Sequence, residues 1–151
     1  MIGVFHTGIT VSDLEHAISF YRDILGLELI IGPTEVFEGD DLSAALGVRG
    51  ARVKLAIMKT GDSSLELHQY LSPKSEVDRA MPPNTIGFMH VAFRVENIEQ
   101  KVRELEAKRI RFFSQVNVVN EGPLAGWKWI YFKDPDGITL ELVEHNPLSE
   151  G

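Results

Sequence analysis

Four residues suited to metal or acid-base chemistry recur in one pattern: His6 and His90, Glu66 and Glu141. The stretch HTGITVSDLE, from His6 to Glu15, aligns without a gap on HVAFRVENIE, from His90 to Glu99, and SLEL at Ser64 to Leu67 aligns on TLEL at Thr139 to Leu142. Each half of the chain therefore opens with a His and closes with a Glu. The His-to-Glu interval is 60 residues in the first copy (6 to 66) and 51 in the second (90 to 141), and the surplus falls in the long connection of the first half. Two imidazoles and two carboxylates make an N2O2 donor set suited to a borderline divalent ion such as Zn, Ni, Co, Mn or Fe. With no Cys in the chain, thiolate ligands and a cysteine nucleophile are excluded.

The elements that must position these residues follow from hydrophobic periodicity. Residues 4 to 11 alternate, Phe5, Ile9 and Val11 against His6, Gly8 and Thr10, which predicts a strand with the His on the face opposite its apolar stripe. Ser12 to Glu15 carries a capping-box pattern, and Leu14, Ala17, Ile18, Tyr21 and Leu25 then recur at helical spacing until Gly26. Strands are expected at 27–31, 53–59 and 64–70. The second half repeats this order, with a strand at 87–95, a helix from Asn97 to Lys108, and strands near 110–118, 127–133 and 138–145, the last two joined by a turn at Asp134 to Gly137. Two tandem βαβββ modules result, module one over 1–72 and module two over 87–147, joined by a Pro-containing linker over 73–86. Pseudo-twofold packing of the halves would bring the two His and two Glu together.

Residues 32–50 form a connection too long for a structureless loop, and are expected to hold a helical turn at Asp41 to Gly47; residues 120–126 form a second Gly/Pro loop. Glu66 and His68 stand two apart on one strand and share a face, so either can be the fourth ligand, with the other left as an acid or base beside it; the repeat favours Glu66. His16 and His145 are expected at the surface. Trp127, Trp129 and Tyr131 share one strand face, read here as core.

At 151 residues the chain is one domain's length, and 44% hydrophobic with 25% charged residues is ordinary globular composition. A formal charge of −7 argues against nucleic-acid binding. The N-terminal stretch lacks the features of a secretory signal and no run approaches 18 apolar residues, so the expectation is a cytoplasmic protein without a membrane anchor. The only basic clusters, Arg49, Arg52 and Lys54 or Lys108, Arg109 and Arg111, serve a phosphate-bearing substrate or a solvated surface equally well.

The His6 to Glu15 segment, Phe20-Tyr21 followed by Leu25-Gly26-Leu27, Leu65-Glu66-Leu67, His90 to Phe93, and Asp134 to Gly137 with Leu140-Glu141-Leu142 together resemble the vicinal-oxygen-chelate superfamily. That superfamily includes glyoxalase I, methylmalonyl-CoA epimerase, fosfomycin-resistance proteins, extradiol dioxygenases and bleomycin-binding proteins. The resemblance implies an α+β fold of two tandem βαβββ modules, forming a curved, partly open eight-stranded sheet around a metal cleft. It also implies one divalent ion held by His6, Glu66, His90 and Glu141, and a homodimer. The corresponding activity is a metal-dependent lyase or isomerase of the glyoxalase or epimerase type, acting on a small molecule with adjacent oxygens, with Glu141 as first and Glu66 as second proton carrier. An Fe(II) ring-cleaving dioxygenase, needing three ligands, and a non-catalytic binding protein of the resistance type are the alternatives.

Overall fold

In a computed structural model, which describes residues 2–75 and 82–145, the first strand of each half pairs in parallel with the last strand of that half. Parallel neighbours need a crossover, and in each half a helix supplies it. The strands fall into two compact units, Met1–Asp78 and Arg79–Gly151. Residues 76–81 of the expected linker, and the last two residues of module two, lie outside the described residues.

In the first unit, β1 (His6–Thr10) is followed by α1 (Leu14–Ser19), β2 (Glu28–Ile31), β3 (Phe37–Glu38), α2 (Asp40–Leu46), β4 (Arg52–Thr60) and β5 (Ser63–Ser72). The sheet order is β1-β5-β4-β2, with β3 on β4. Asp13, not Ser12, caps α1: its side chain accepts from the His16 N–H at 2.9 Å. The cap sits one residue late because Val11 still bonds the His68 carbonyl, at 2.8 Å, so the backbone stays extended through Asp13. The helix then widens into a π-helical turn at Phe20–Ile24, where the Leu25 N–H reaches five residues back to the Phe20 carbonyl. Widening lets the adjacent Phe20 and Tyr21 both face the core, their rings T-shaped at 5.3 Å. Helix α1 packs on β4 and β5, closing a core of Leu14, Ile18, Tyr21, Met58, Leu65 and Leu67.

The second unit runs β6 (Val91–Arg94), α3 (Ile98–Ala107), β7 (Asn117–Val118), β8 (Lys128–Lys133) and β9 (Thr139–Glu144), in sheet order β6-β9-β8-β7. Asn97 caps α3 through the Gln100 N–H at 2.8 Å, as Asp13 caps α1. Structural equivalence extends further than the motif alignment. The first helical N–H is taken by a side chain of the closing strand in both units, Leu14 by Gln69 Oε1 at 3.1 Å and Ile98 by Glu144 Oε2 at 2.7 Å. Gln69 and Glu144 each stand three residues after the site glutamate, on the core-facing side of the strand.

The α+β class is as read from the sequence, while the strands form a five-stranded and a four-stranded sheet, the extra strand being the short β3 inside the expected 32–50 connection. The strand expected near 110–118 is broken: Phe112 makes a lone bridge to Phe132, and pairing resumes only at Asn117. The break comes from local polar bonds, since the Asn117 amide donates to Ser114 Oγ and to the Gln115 carbonyl. The strand expected from residue 87 begins only at Val91, after a turn in which the Phe88 N–H bonds the Thr85 carbonyl. Among the described residues no helix is long and apolar enough to cross a membrane.

Gly32, just past β2, has φ +94, and a Cβ there would lie 2.5 Å from the Leu55 carbonyl oxygen and 2.9 Å from Ala56 Cα. Backbone cannot yield as a side chain does. Gly32→Ala is expected to cost about 3 kcal/mol or more, from left-handed strain plus overpacking of about 1–3 kcal/mol each. Gly61→Ala, also at positive φ but with nothing within 4 Å, should cost about 1 kcal/mol. Urea unfolding of the two variants checks this ranking, and equal losses would refute it.

Candidate functional site

Leu65 and Leu67 are buried on either side of Glu66, so the alternation of β5 turns the carboxylate to the opposite face. On β1 the register partner of Glu66 is Gly8, which puts no side chain over the carboxylate and lets His6, two residues earlier, reach it. His6 Nε2 lies 3.0 Å from Glu66 Oε2, and His68 Nε2 lies 3.2 Å from the same oxygen. A Cβ at Gly8 would meet the His68 ring carbon Cε1 at 3.7 Å, an ordinary van der Waals contact. The carboxylate is only 18% exposed, with both His rings partly open to solvent.

The second unit repeats this geometry. Glu141 stands between buried Leu140 and Leu142, its register partner on β6 is the small Ala92, and His90 Nε2 lies 2.9 Å from Glu141 Oε2. The neighbours differ. Tyr131 pairs in register with Glu141 where Ile57 pairs with Glu66, and its ring meets His90 edge-on at 5.3 Å. Burial, and then the negative charge of Glu141, raise the Tyr131 pKa above its ordinary 10.0, so the phenol keeps its proton at neutral pH.

Two expectations need correcting. Trp129 and Tyr131 are not core: Ile130 and Phe132 are buried, so their neighbours on β8 share the face of Glu141. Trp127, just ahead of β8, has the same parity as these two aromatics and is also only half-buried. His145 is not a surface residue but is half-buried and stacked on Trp127, with centroids 4.8 Å apart. His16 is exposed as read. Of the basic clusters, Arg52 is engaged with Glu38. The sequence reading missed Tyr131 as the neighbour of His90 and Glu141, although the strictly apolar Ile130 and Phe132 already signal its face.

The donors suit a divalent cation. Bonds of about 2.1 Å to adjacent positions of an octahedral ion place the two donor atoms about 3.0 Å apart. Each unit presents a His nitrogen and a Glu oxygen at that spacing, without thiolate. His6 and His68 both point at the one Glu66 oxygen, and among the described residues no three His, Asp or Glu side chains are gathered about a point where an ion would sit. Each unit thus offers an edge of a coordination shell.

A duplicated α+β unit with a His-Glu pair on the polar face of each sheet defines a class of binding and catalytic domains. The Glyoxalase/Bleomycin resistance protein/Dioxygenase superfamily profile matches residues 3–142, and the chain belongs to that superfamily. It is 31% identical over 146 residues to a 2-epi-5-epi-valiolone epimerase from an Actinomyces species, covering 94% of this chain and 79% of that one. It is 30% identical to mouse mitochondrial methylmalonyl-CoA epimerase, covering 92% and 71%, and 32% identical to a lactoylglutathione lyase of Schizosaccharomyces pombe, of which it spans only 47%. A glyoxalase family protein from Bacillus cereus superposes with a TM-score of 0.79 at 28% identity, over 97% of this chain and 96% of that one.

The raised Tyr131 pKa has a checkable sign. Above pH 10 the unfolded chain has lost this proton while the folded protein holds it, so the contribution is full below the unfolded value and is lost as pH rises through the folded one. Tyr131→Phe is expected to flatten the alkaline loss of stability, and the difference in phenolate absorbance between wild type and variant should show one phenol titrating above the ordinary range. A difference centred at or below the ordinary value would contradict the assignment.

Proposed function

We propose that this chain is a metal-dependent isomerase or lyase of the epimerase or glyoxalase type, acting on a small substrate with adjacent oxygens. His6, Glu66, His90 and Glu141 hold one divalent ion, which supplies Lewis-acid stabilisation of negative charge developing on the substrate oxygens. The observation that carries this reading is the duplicated donor edge, His6 with Glu66 and His90 with Glu141, at 3.0 and 2.9 Å and in the same strand register. Membership of a superfamily with epimerase and lyase relatives supports it.

A carboxylate of this face would take the proton from the carbon beside the substrate's adjacent oxygens and return it to the substrate. Glu141 is the first candidate: its side chain is 12% exposed against 18% for Glu66, and Tyr131 beside it stays neutral, so no second anion competes with it. Glu66 is the second, with His68 at 3.2 Å able to orient it or exchange a proton with it. Two matched carboxylates favour this chemistry over ring cleavage, for which one carboxylate and two His suffice.

Protein purified without chelator should carry, or take up on reconstitution, about one transition-metal ion per chain, and its melting temperature should fall on dialysis against a chelator. Glu66→Gln should weaken metal binding by more than the roughly 10–100-fold typical of a lost outer-shell partner, while His68→Ala stays within that range. The reverse ranking transfers ligation to His68. No metal uptake at all removes the site, and turnover on hemithioacetals, methylmalonyl-CoA or catechols then separates the reaction types. The same reading carries a homodimer: β1 and β6 are sheet-edge strands, and Phe5 and Met89 beside them are 81% and 74% exposed. Light scattering at micromolar concentration should give twice the chain mass, and a monomer mass would refute it.

A further inference from the structure

The polar face of the second unit carries more than the His-Glu pair. On β6, alternation places Arg94 on the same face as Ala92, the register partner of Glu141. Arg94 pairs with Val143, and Val143 pairs on its other side with Trp129, so Arg94, Val143 and Trp129 form one row across three strands. This row is two residues along from Glu141, about 7 Å, and its ends lie about 10 Å apart. Arg94 is exposed and has no hydrogen bond or ion pair among the described residues, whereas Lys128 and Arg52 are both engaged with carboxylates. The equivalent row of the first unit is Thr10, His68 and Leu55, which offers neither a guanidinium nor an aromatic wall.

We infer that this row is a substrate subsite for an anionic group, a carboxylate or a phosphate, attached to a flat or apolar body. Val143 is its floor, Trp129 its apolar wall, and Arg94 takes the anion through the planar fork that suits oxyanions. The subsite deepens the isomerase or lyase reading, since it fixes a substrate whose acidic group lies about one side-chain row from the carbon that Glu141 serves. Anion recognition by Arg94 needs no metal, so it can be tested apart from that reading.

Benzoate and phenyl phosphate serve as probes, with benzamide as the uncharged counterpart, titrated against chelator-treated protein and followed by tryptophan fluorescence and by chemical shifts of the Arg94 and Trp129 side chains. At least one anion should bind about tenfold or more tighter than benzamide. Arg94→Gln should erase that preference, Arg94→Lys should keep part of it, and Trp129→Leu should weaken charged and uncharged probes alike. Metal uptake by Arg94→Gln should equal that of wild type, and its unaltered circular dichroism would establish that it folds. Equal affinity for the anions and benzamide, no binding of any probe, or a preference that survives Arg94→Gln would each overturn the subsite. Loss of metal uptake in Arg94→Gln would overturn it too, because Arg94 would then belong to the metal edge. Absence of metal binding in wild type, with the anion preference intact, would remove the isomerase reading and leave the subsite standing.

Discussion

Everything at the site depends on one register: the parallel pairing of the first strand with the last in each unit. That pairing sets Gly8 against Glu66 and Ala92 against Glu141. A slip of one residue would turn Leu65, Leu67, Leu140 and Leu142 outward and both glutamates inward, where an unpaired carboxylate costs several kcal/mol. The leucines therefore hold the register, and the register places the carboxylates. A small residue opposite each Glu is the second requirement, because a larger side chain there would stand between the carboxylate and the His two residues upstream.

The conserved and altered positions of the duplication divide along functional lines. Both units keep the His, the small residue, the Glu, an Asp or Asn helix cap, and a side-chain acceptor for the first helical N–H. What differs is the surrounding face: Ile57 against Tyr131, Leu55 against Trp129, His68 against Val143, Thr10 against Arg94. The repeated part is what the fold and the His-Glu pair require, and two like units serve those equally. Substrate recognition has no reason to be symmetric, since a substrate is not, and the differences sit where a substrate would be read.

Much of this was legible in the sequence because period-two alternation is a strong signal when the partners are leucines. The recurrence of a His and a Glu in each half follows from an ungapped alignment and from SLEL and TLEL, whereas their pairing within each unit comes from the parallel register of first and last strands. Failures came where a local bond competes with a pattern. Ser12 reads as a cap, but the sheet bond of Val11 carries the extended backbone one residue further, to Asp13. Residues 113–116 look like strand, yet the Asn117 amide ties them into a bend. Trp127, Trp129 and Tyr131 were misplaced for another reason: aromatic bulk suggests core, while parity with the buried Ile130 and Phe132 assigns them to the other face.

Strand alternation also separates stability from chemistry. On β9, Glu141 faces the site, while Glu144, three residues on, faces the helix, where it accepts the Ile98 N–H and pairs with Lys128 at 3.1 Å. A carboxylate at a helix N-terminus satisfies an orphan donor and opposes the positive end of the helix dipole, so Glu144 anchors α3 on the sheet. Glu141 pairs with His90 and stands beside the Tyr131 ring, and it accepts no backbone N–H among the described residues. The two glutamates of one strand are chemically identical and structurally opposite. The core can therefore hold the fold while the other face changes, which is how a duplicated unit keeps its His-Glu pair and alters the residues around it.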